Sequence, residues 1–318
     1  VAAAFALFAI AAWGCRAKRE PVPPLAHVSG WQALPADAHT VVGIDVPQVL
    51  GSSFLSRAVS AAFASTPELQ APIGELFSRC QIELGKDIRN VWLAFGDAPE
   101  ELVAVASGDL SEDRWVSCIR ALDAPGRGQL GSVVWRGRRV YRARFPAVPT
   151  PARPPAEVWF TFGDPHTLIL APSERWLRRT RDPGARKLAS DPAWHTILAR
   201  LQDSGALWAN TRRPALLAQR IPALMGGLVH APARALYCVV ASRADTLSVH
   251  VSLELGSEKD AQVIVPFLRA QMAQLDILAQ SHGWLPILSK TVVVAEGQTV
   301  RAQLAMNPLR SLVEYEQF

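Results

Sequence analysis

Apolar and polar residues trade places at every second position along much of this chain, in short runs bounded by Gly, Pro, Asp or Ser. That period predicts strands with one buried and one solvated face. The cleanest case is TLSVHVSLEL, with Val249, Val251 and Leu253 against Ser248, His250 and Ser252. A first strand is expected over 40–45. NVWLAFG and ELVAVASG then form a hairpin across the turn-forming DAPE. SVVWRGRRVYRARF turns near Gly137, with Tyr141, Ala143 and Phe145 on one side and Arg142 and Arg144 on the other. EVWFTFG and TLILA pair around Asp164-Pro165, and ALWAN adds a strand at about 205–210. RALYCVVAS precedes TLSVHVSLEL, and TVVVAEGQTVRAQLAM turns at Glu296-Gly297.

Helical spacing fills the gaps. Residues 53–80 read as helical, broken near Pro67, with Leu69, Ile73, Leu76, Phe77 and Cys80 on one face. Ser111 caps a second helix, Glu112 and Asp113 suit its first turn, and Trp115, Cys118, Ile119 and Leu122 form its buried face. Further helices are expected over 173–181, 190–202 and 213–225, and a short one from Pro308. A long helix starts at Ser257, with Asp260 in the capping-box position and a kink expected at Pro266.

The order strand, helix, hairpin, capped helix, hairpin occurs at 40–145 and again at 205–305, offset by about 145 residues. The expected fold is α+β: antiparallel sheets with helices packed on one side of each, in two related halves. The halves are 30–145 and 157–318, joined by the proline-rich stretch 146–156.

The start of the chain carries the strongest functional signal. Ala2 to Trp13 is an uncharged apolar run. It is too short to span a bilayer, which takes about 20 residues, and suits the core of an export signal. Gly14-Cys15 follows, then Arg16, Lys18, Arg19 and a spacer with Pro21, Pro23 and Pro24. Gly14-Cys15 resembles the lipobox of bacterial lipoproteins. That resemblance implies a signal peptide over 1–14, a diacylglycerol on Cys15 and a lipidated tether over 15–29. Arg16 in second position, where an Asp would signal inner-membrane retention, implies the outer membrane. With PADA…VVGIDV, Cys80 ending one helix and Cys118 carried by the next, the chain resembles uncharacterised lipoproteins of GC-rich Gram-negative bacteria. That family brings no activity with it.

Composition alters this picture little. The chain of 318 residues is large enough for one big or two ordinary domains. Its formal charge of +5 is spread over scattered Arg pairs rather than one dense stripe, which argues against a nucleic-acid partner. The expected partner is a membrane, reached through the lipid anchor.

Searches for chemistry yield little. The four cysteines are far apart and no HExxH occurs, so neither a metal nor a redox cofactor has local support. GRGQLG at 126–131 leads into a strand, whereas a dinucleotide fingerprint opens a helix. Asp37, His39 and Asp45 lie around the first strand, and Asp164 and His166 flank a turn. Turn geometry accounts for each more simply than catalysis. His250 points outward on its strand. Trp92, Trp115, Trp135, Trp159 and Trp208 fall at core positions, while Trp31, Trp176, Trp194 and Trp284 are candidates for a groove or for further core. No catalytic, cofactor-binding or metal residue is assigned.

Export would place Cys80 and Cys118 in an oxidising compartment. They flank the first hairpin on apolar helix faces, so a disulfide closing about 39 residues is expected, worth about 4 kcal/mol in the chain-entropy model. Separate buried thiols are the alternative, as expected for Cys238 in LYCVV. The functional reading is a non-catalytic envelope lipoprotein, a binding or structural module. The alternatives are a hydrolase assembled from distant residues and a lipid or peptide carrier.

Overall fold

The computed structural model describes residues 30–53, 55–57, 60, 78, 80–98, 101–122, 129–144, 157–192, 194, 205–215, 233–243, 246–281 and 290–306. The anchor Cys15 and its tether lie outside them, as do Leu69, Ile73, Leu76, Phe77, Trp284, the stretch 146–156, the segment from 307 onward and most of the helices expected over 190–202 and 213–225.

Twelve strands form one antiparallel sheet. They are β1 (Thr40–Asp45), β2 (Ile88–Phe95), β3 (Leu102–Gly108), β4 (Gln129–Trp135), β5 (Arg138–Arg144), β6 (Glu157–Asp164), β7 (Thr167–Ala171), β8 (Leu207–Thr211), β9 (Ala235–Arg243), β10 (Thr246–Glu254), β11 (Val292–Glu296) and β12 (Thr299–Met306). Their order is β11-β12-β10-β9-β8-β1-β2-β3-β7-β6-β5-β4. The four described helices are α1 (Val46–Gly51), α2 (Glu112–Leu122), α3 (Glu174–Arg181) and α4 (Glu258–Ser281). Short 3-10 turns occupy Gly30–Ala33 and Leu188–Ser190.

The expected hairpins form because their turns carry residues that tolerate positive φ. Between β4 and β5 the two-residue loop Arg136-Gly137 has φ of 49° and 77°, the pairing that a type I′ turn requires. Gly297, with φ of 59°, opens the loop between β11 and β12. The caps form as read. Ser257 Oγ accepts from the Asp260 backbone N–H at 3.2 Å and donates to its carboxylate at 2.7 Å. Helix α4 then runs through Pro266 as a single element.

Helices cover both faces of this sheet rather than one. Adjacent residues in a strand point to opposite faces. Val105 packs with Trp92, Ile169, Trp176 and Leu177, which brings α3 and Trp194 onto one face. Ala106 packs with Ile88, Leu168, Trp115 and Val116, which brings α2 onto the other. The face of α2 continues through the register Ile44↔Leu207↔Val240 to Leu253 and Val300, where Ala261 and Ile264 of α4 pack. A continuous central sheet exposes two apolar surfaces at its middle, so both must be covered.

Strands β6 and β7, expected in the second half, lie between β3 and β5 of the first. The pairing Arg144↔Glu157 joins β5 to β6 across the proline-rich stretch, and Arg144 Nε donates to the Glu157 carboxylate at 3.0 Å. Trp135 and Trp159 are only partly buried, contrary to the core positions expected for them. The guanidiniums of Arg136 and Arg178 sit 5.3 Å and 5.1 Å from the Trp135 ring centre, and that of Arg142 sits 5.6 Å from Trp159. Trp176 and Trp194 belong to the core, at 1% and 0% exposure.

Cys80 and Cys118 form a disulfide, with Cα atoms 5.4 Å apart. Beside it Arg114 of α2 reaches the buried Asp87 at the head of β2, at 3.3 Å and 3.1 Å, and donates to the Gln81 carbonyl at 2.6 Å. The Glu83 backbone N–H and the Arg114 guanidinium together hold the Asp87 carboxyl below the usual aspartate value. Bridge and ion pair pin the start of α2 to the entry of the first hairpin.

Candidate ligand cleft

The residues suspected around β1 do not form one cluster. His39 sits at its start, where Nδ1 lies 2.7 Å from Thr40 Oγ1 and Nε2 lies 2.7 Å from the Gly96 carbonyl. Asp37 pairs with Arg179 of α3. Both fix loops at one end of the sheet. Asp45 ends the same strand, and its carboxylate caps α1 by accepting from the Gln48 backbone N–H at 2.9 Å and the Gln48 amide at 3.0 Å.

At the Asp45 end, cross-strand register builds a row. Asp45 pairs with Asn90, Asn90 with Ser107 and Ser107 with Thr167, across β1, β2, β3 and β7. Directly opposed residues share a face, so these four polar side chains stand side by side. Two positions inward on the same face runs an aromatic row, Trp208–Gly43–Trp92. Gly43 leaves room for the Trp208 indole, since a Cβ there would fall closer than 3.0 Å to the ring. Gly30 of the first 3-10 turn, in the left-handed region at φ 52°, lies over the Trp92 ring, where a Cβ would approach to 3.1 Å. The turn thus rests on an indole and holds Trp31 beside the polar row.

The result is a cleft of about 560 Å³ lined by Trp31, Trp92, Trp208, the polar row, Gln32, Asp164 and His166. Small-molecule sites span roughly 300–1,000 Å³. Asp164 and His166 arrive through the β6–β7 turn, where the His166 backbone N–H donates to Asp164 Oδ1 at 2.8 Å. The His166 ring Nδ1 lies 3.2 Å from the Gly108 carbonyl, and Ser107 Oγ accepts from the Asn90 amide at 3.5 Å. Serine and histidine therefore share the cleft with other partners, and no nucleophile–base hydrogen bond links them. Among the described residues no Lys or Arg lines the cleft. Arg181 of α3 is buried and acts electrostatically on Asp164; among the described residues its guanidinium nitrogens have no hydrogen-bond acceptor. Burial draws it down to about 10, with Arg138 acting in the same direction and Asp164 opposing. Among the described residues no group of three or more His, Cys, Asp or Glu side chains is placed to hold a metal ion.

Of the residues singled out by sequence, Asp45, Asp164, His166 and Trp31 meet here. Asp37, His39 and the exposed His250 do not. Asn90, Ser107 and Thr167 escaped notice, yet each breaks an apolar parity at a strand end. Asn90 shares its face with Trp92 and Ala94, Ser107 with Val103 and Val105, and Thr167 with Ile169 and Ala171. Cys238 is a free thiol in β9 whose burial raises its pKa.

No protein-family model matches the chain, and no curated protein matches it significantly. Among solved structures it is similar to TP0453. Crystal form I matches at 13% identity with a TM-score of 0.51, covering 92% of this chain and 98% of the other. Crystal form III matches at 12% identity with a TM-score of 0.51, covering 91% and 98%. At this identity the likeness extends to the fold, an α+β arrangement around a large antiparallel sheet.

Proposed function

We propose that the protein is a non-catalytic binding module of the cell envelope, anchored by lipid on Cys15 in the outer membrane and facing the periplasm. Its site is the cleft at the ends of β1, β2, β3 and β7. The observation that carries this reading is the in-register row Asp45–Asn90–Ser107–Thr167, polar side chains at the strand ends of a face that runs inward to Gly43, Trp92, Val105 and Ile169. Polar groups at the rim of an apolar floor are the mark of a ligand site. The partners of Ser107 and His166 disfavour a hydrolase, because a nucleophile needs its base within hydrogen-bond reach. The polar row along the cleft disfavours a carrier for lipid, which needs a deep apolar pocket. The mirror order of β1-β2-β3 and β8-β9-β10 about the β1–β8 pair favours two related halves.

Two measurements test it. Ligand-observed NMR with a fragment library spanning neutral, cationic and anionic compounds should return hits that vanish in Ser107→Phe, which fills the cleft. Hits indifferent to that change would remove the cleft from the reading. Cys15→Ser should move the protein from membrane to soluble fractions, or leave it unprocessed. Unchanged processing and partitioning would remove the anchor.

A further inference from the structure

We infer that the ligand of this cleft is a neutral saccharide. The inference rests on the cleft being a ligand site and goes further by naming the chemical class. A pyranose has a face of C–H groups and a rim of hydroxyls, each of which both donates and accepts hydrogen bonds. Its site must offer an aromatic surface and an array of mixed donors and acceptors. The cleft offers both. Trp31, partly exposed, supplies the aromatic surface, packed against a core in which Trp92 and Trp208 are buried. Along its edge Asn90, Ser107, Thr167 and Gln32 can donate as well as accept, and Asp45 and Asp164 accept. Strand spacing places successive members of the row about 5 Å apart, so neighbouring members would meet alternate rather than adjacent hydroxyls of a sugar ring.

The alternatives fit less well. An anionic ligand would meet two carboxylates and, among the described residues of the lining, no Lys or Arg. A purely apolar ligand would bury the polar row without partners, which costs free energy for each unpaired group. An organic cation would suit the carboxylates and indoles. It would leave the donors of Asn90, Ser107 and Thr167 without a use. Part of the Asp164 charge is already offset by Arg181.

Isothermal titration calorimetry on the full chain, with cellobiose, maltose and N,N′-diacetylchitobiose as saccharide probes and choline and spermidine as cation probes, tests the assignment. Binding of at least one saccharide is expected, weakened about tenfold or more in Trp31→Ala and in Asn90→Leu. The same affinity should hold in 0.5 M salt, because no ion pair forms. Thermal melts and the intact Cys80–Cys118 bridge verify that the variants are folded. Cation binding that salt abolishes, with no saccharide bound, overturns the saccharide assignment and leaves the cleft a ligand site. Saccharide binding undiminished in both variants places the sugar elsewhere and also overturns it. Failure of every probe, together with a fragment screen empty at the cleft, overturns both this inference and the reading on which it rests.

Discussion

Gly43 lies directly across the β1–β8 ladder from Trp208, and the indole fills the space a side chain at Gly43 would occupy. Trp92 stands on its other side in the same register, so one residue without a Cβ leaves the Trp208 indole room to lie over the central strand. Gly43→Ala should destabilise the protein by about 2 kcal/mol, the usual penalty for overpacking. Denaturant melts followed by tryptophan fluorescence would read it, with the midpoint lowered and the slope unchanged. An unaltered midpoint would mean that Trp208 moves aside at no cost.

The Cys80–Cys118 bridge closes a loop with a sequence separation of 38. Removing it with Cys80→Ser and Cys118→Ser should cost about 4 kcal/mol in the chain-entropy model. In the unreduced, unfolded protein, alkylation followed by mass spectrometry should label Cys238 and spare Cys80 and Cys118. The raised pKa of Cys238 predicts slow labelling before unfolding.

Asp87 supplies a pH signature. Its folded pKa lies below its ordinary value, so its contribution is complete above about pH 4 and fades as pH falls through the lowered folded value. Asp87→Ala should cost about 2 kcal/mol at neutral pH, because the Glu83 N–H and the half-exposed Arg114 lose a charged hydrogen-bond partner. The gap between variant and parent should narrow as pH falls into that window. A gap constant from pH 7 to pH 2 would mean that Asp87 acts through shape alone.

Lys187 predicts a slope of the same sign in an alkaline window. Burial lowers its ammonium to about 8, Arg181 adds repulsion and Asp182 offsets part of the shift. Between about 8 and the ordinary lysine value the unfolded chain binds more protons, so stability from this group rises with pH. Lys187→Met should therefore stabilise the protein at pH 7, by about 1 kcal/mol after losing the hydrogen bond to the Arg179 carbonyl. The advantage should shrink above pH 8. Melts of both proteins from pH 6 to pH 10 would reveal the trend.

Local pattern made the strands legible. β1 falls where alternation places it, and the β4–β5 turn sits at the only glycine between its strands. The disulfide was legible because Cys80 and Cys118 bracket a hairpin. The covering of both sheet faces was not, because alternation marks two faces without saying which helix crosses to which. Nor was the insertion of β6 and β7 between β3 and β5. Strand order is a property of distant contacts. The cleft was hidden for the same reason. Asp45 and Thr167 join one row only through two intermediate strands, and register does not show in a single strand. The polar breaks at Asn90, Ser107 and Thr167 were visible, but nothing local said that they align.

The central position of the β1–β8 pair also constrains how the chain can be made. Thr40 and Thr211 are joined by a 2.7 Å hydrogen bond across 171 positions of sequence. Until β8 emerges, β1 remains a bare edge with its ladder groups open on one side. Such an edge readily recruits a strand from another nascent chain. Closing so long a span makes the final zipping of the sheet slow. A fragment ending at residue 192 would keep that edge permanently and should self-associate, so the sheet is completed only when the two ends of its history meet in the middle.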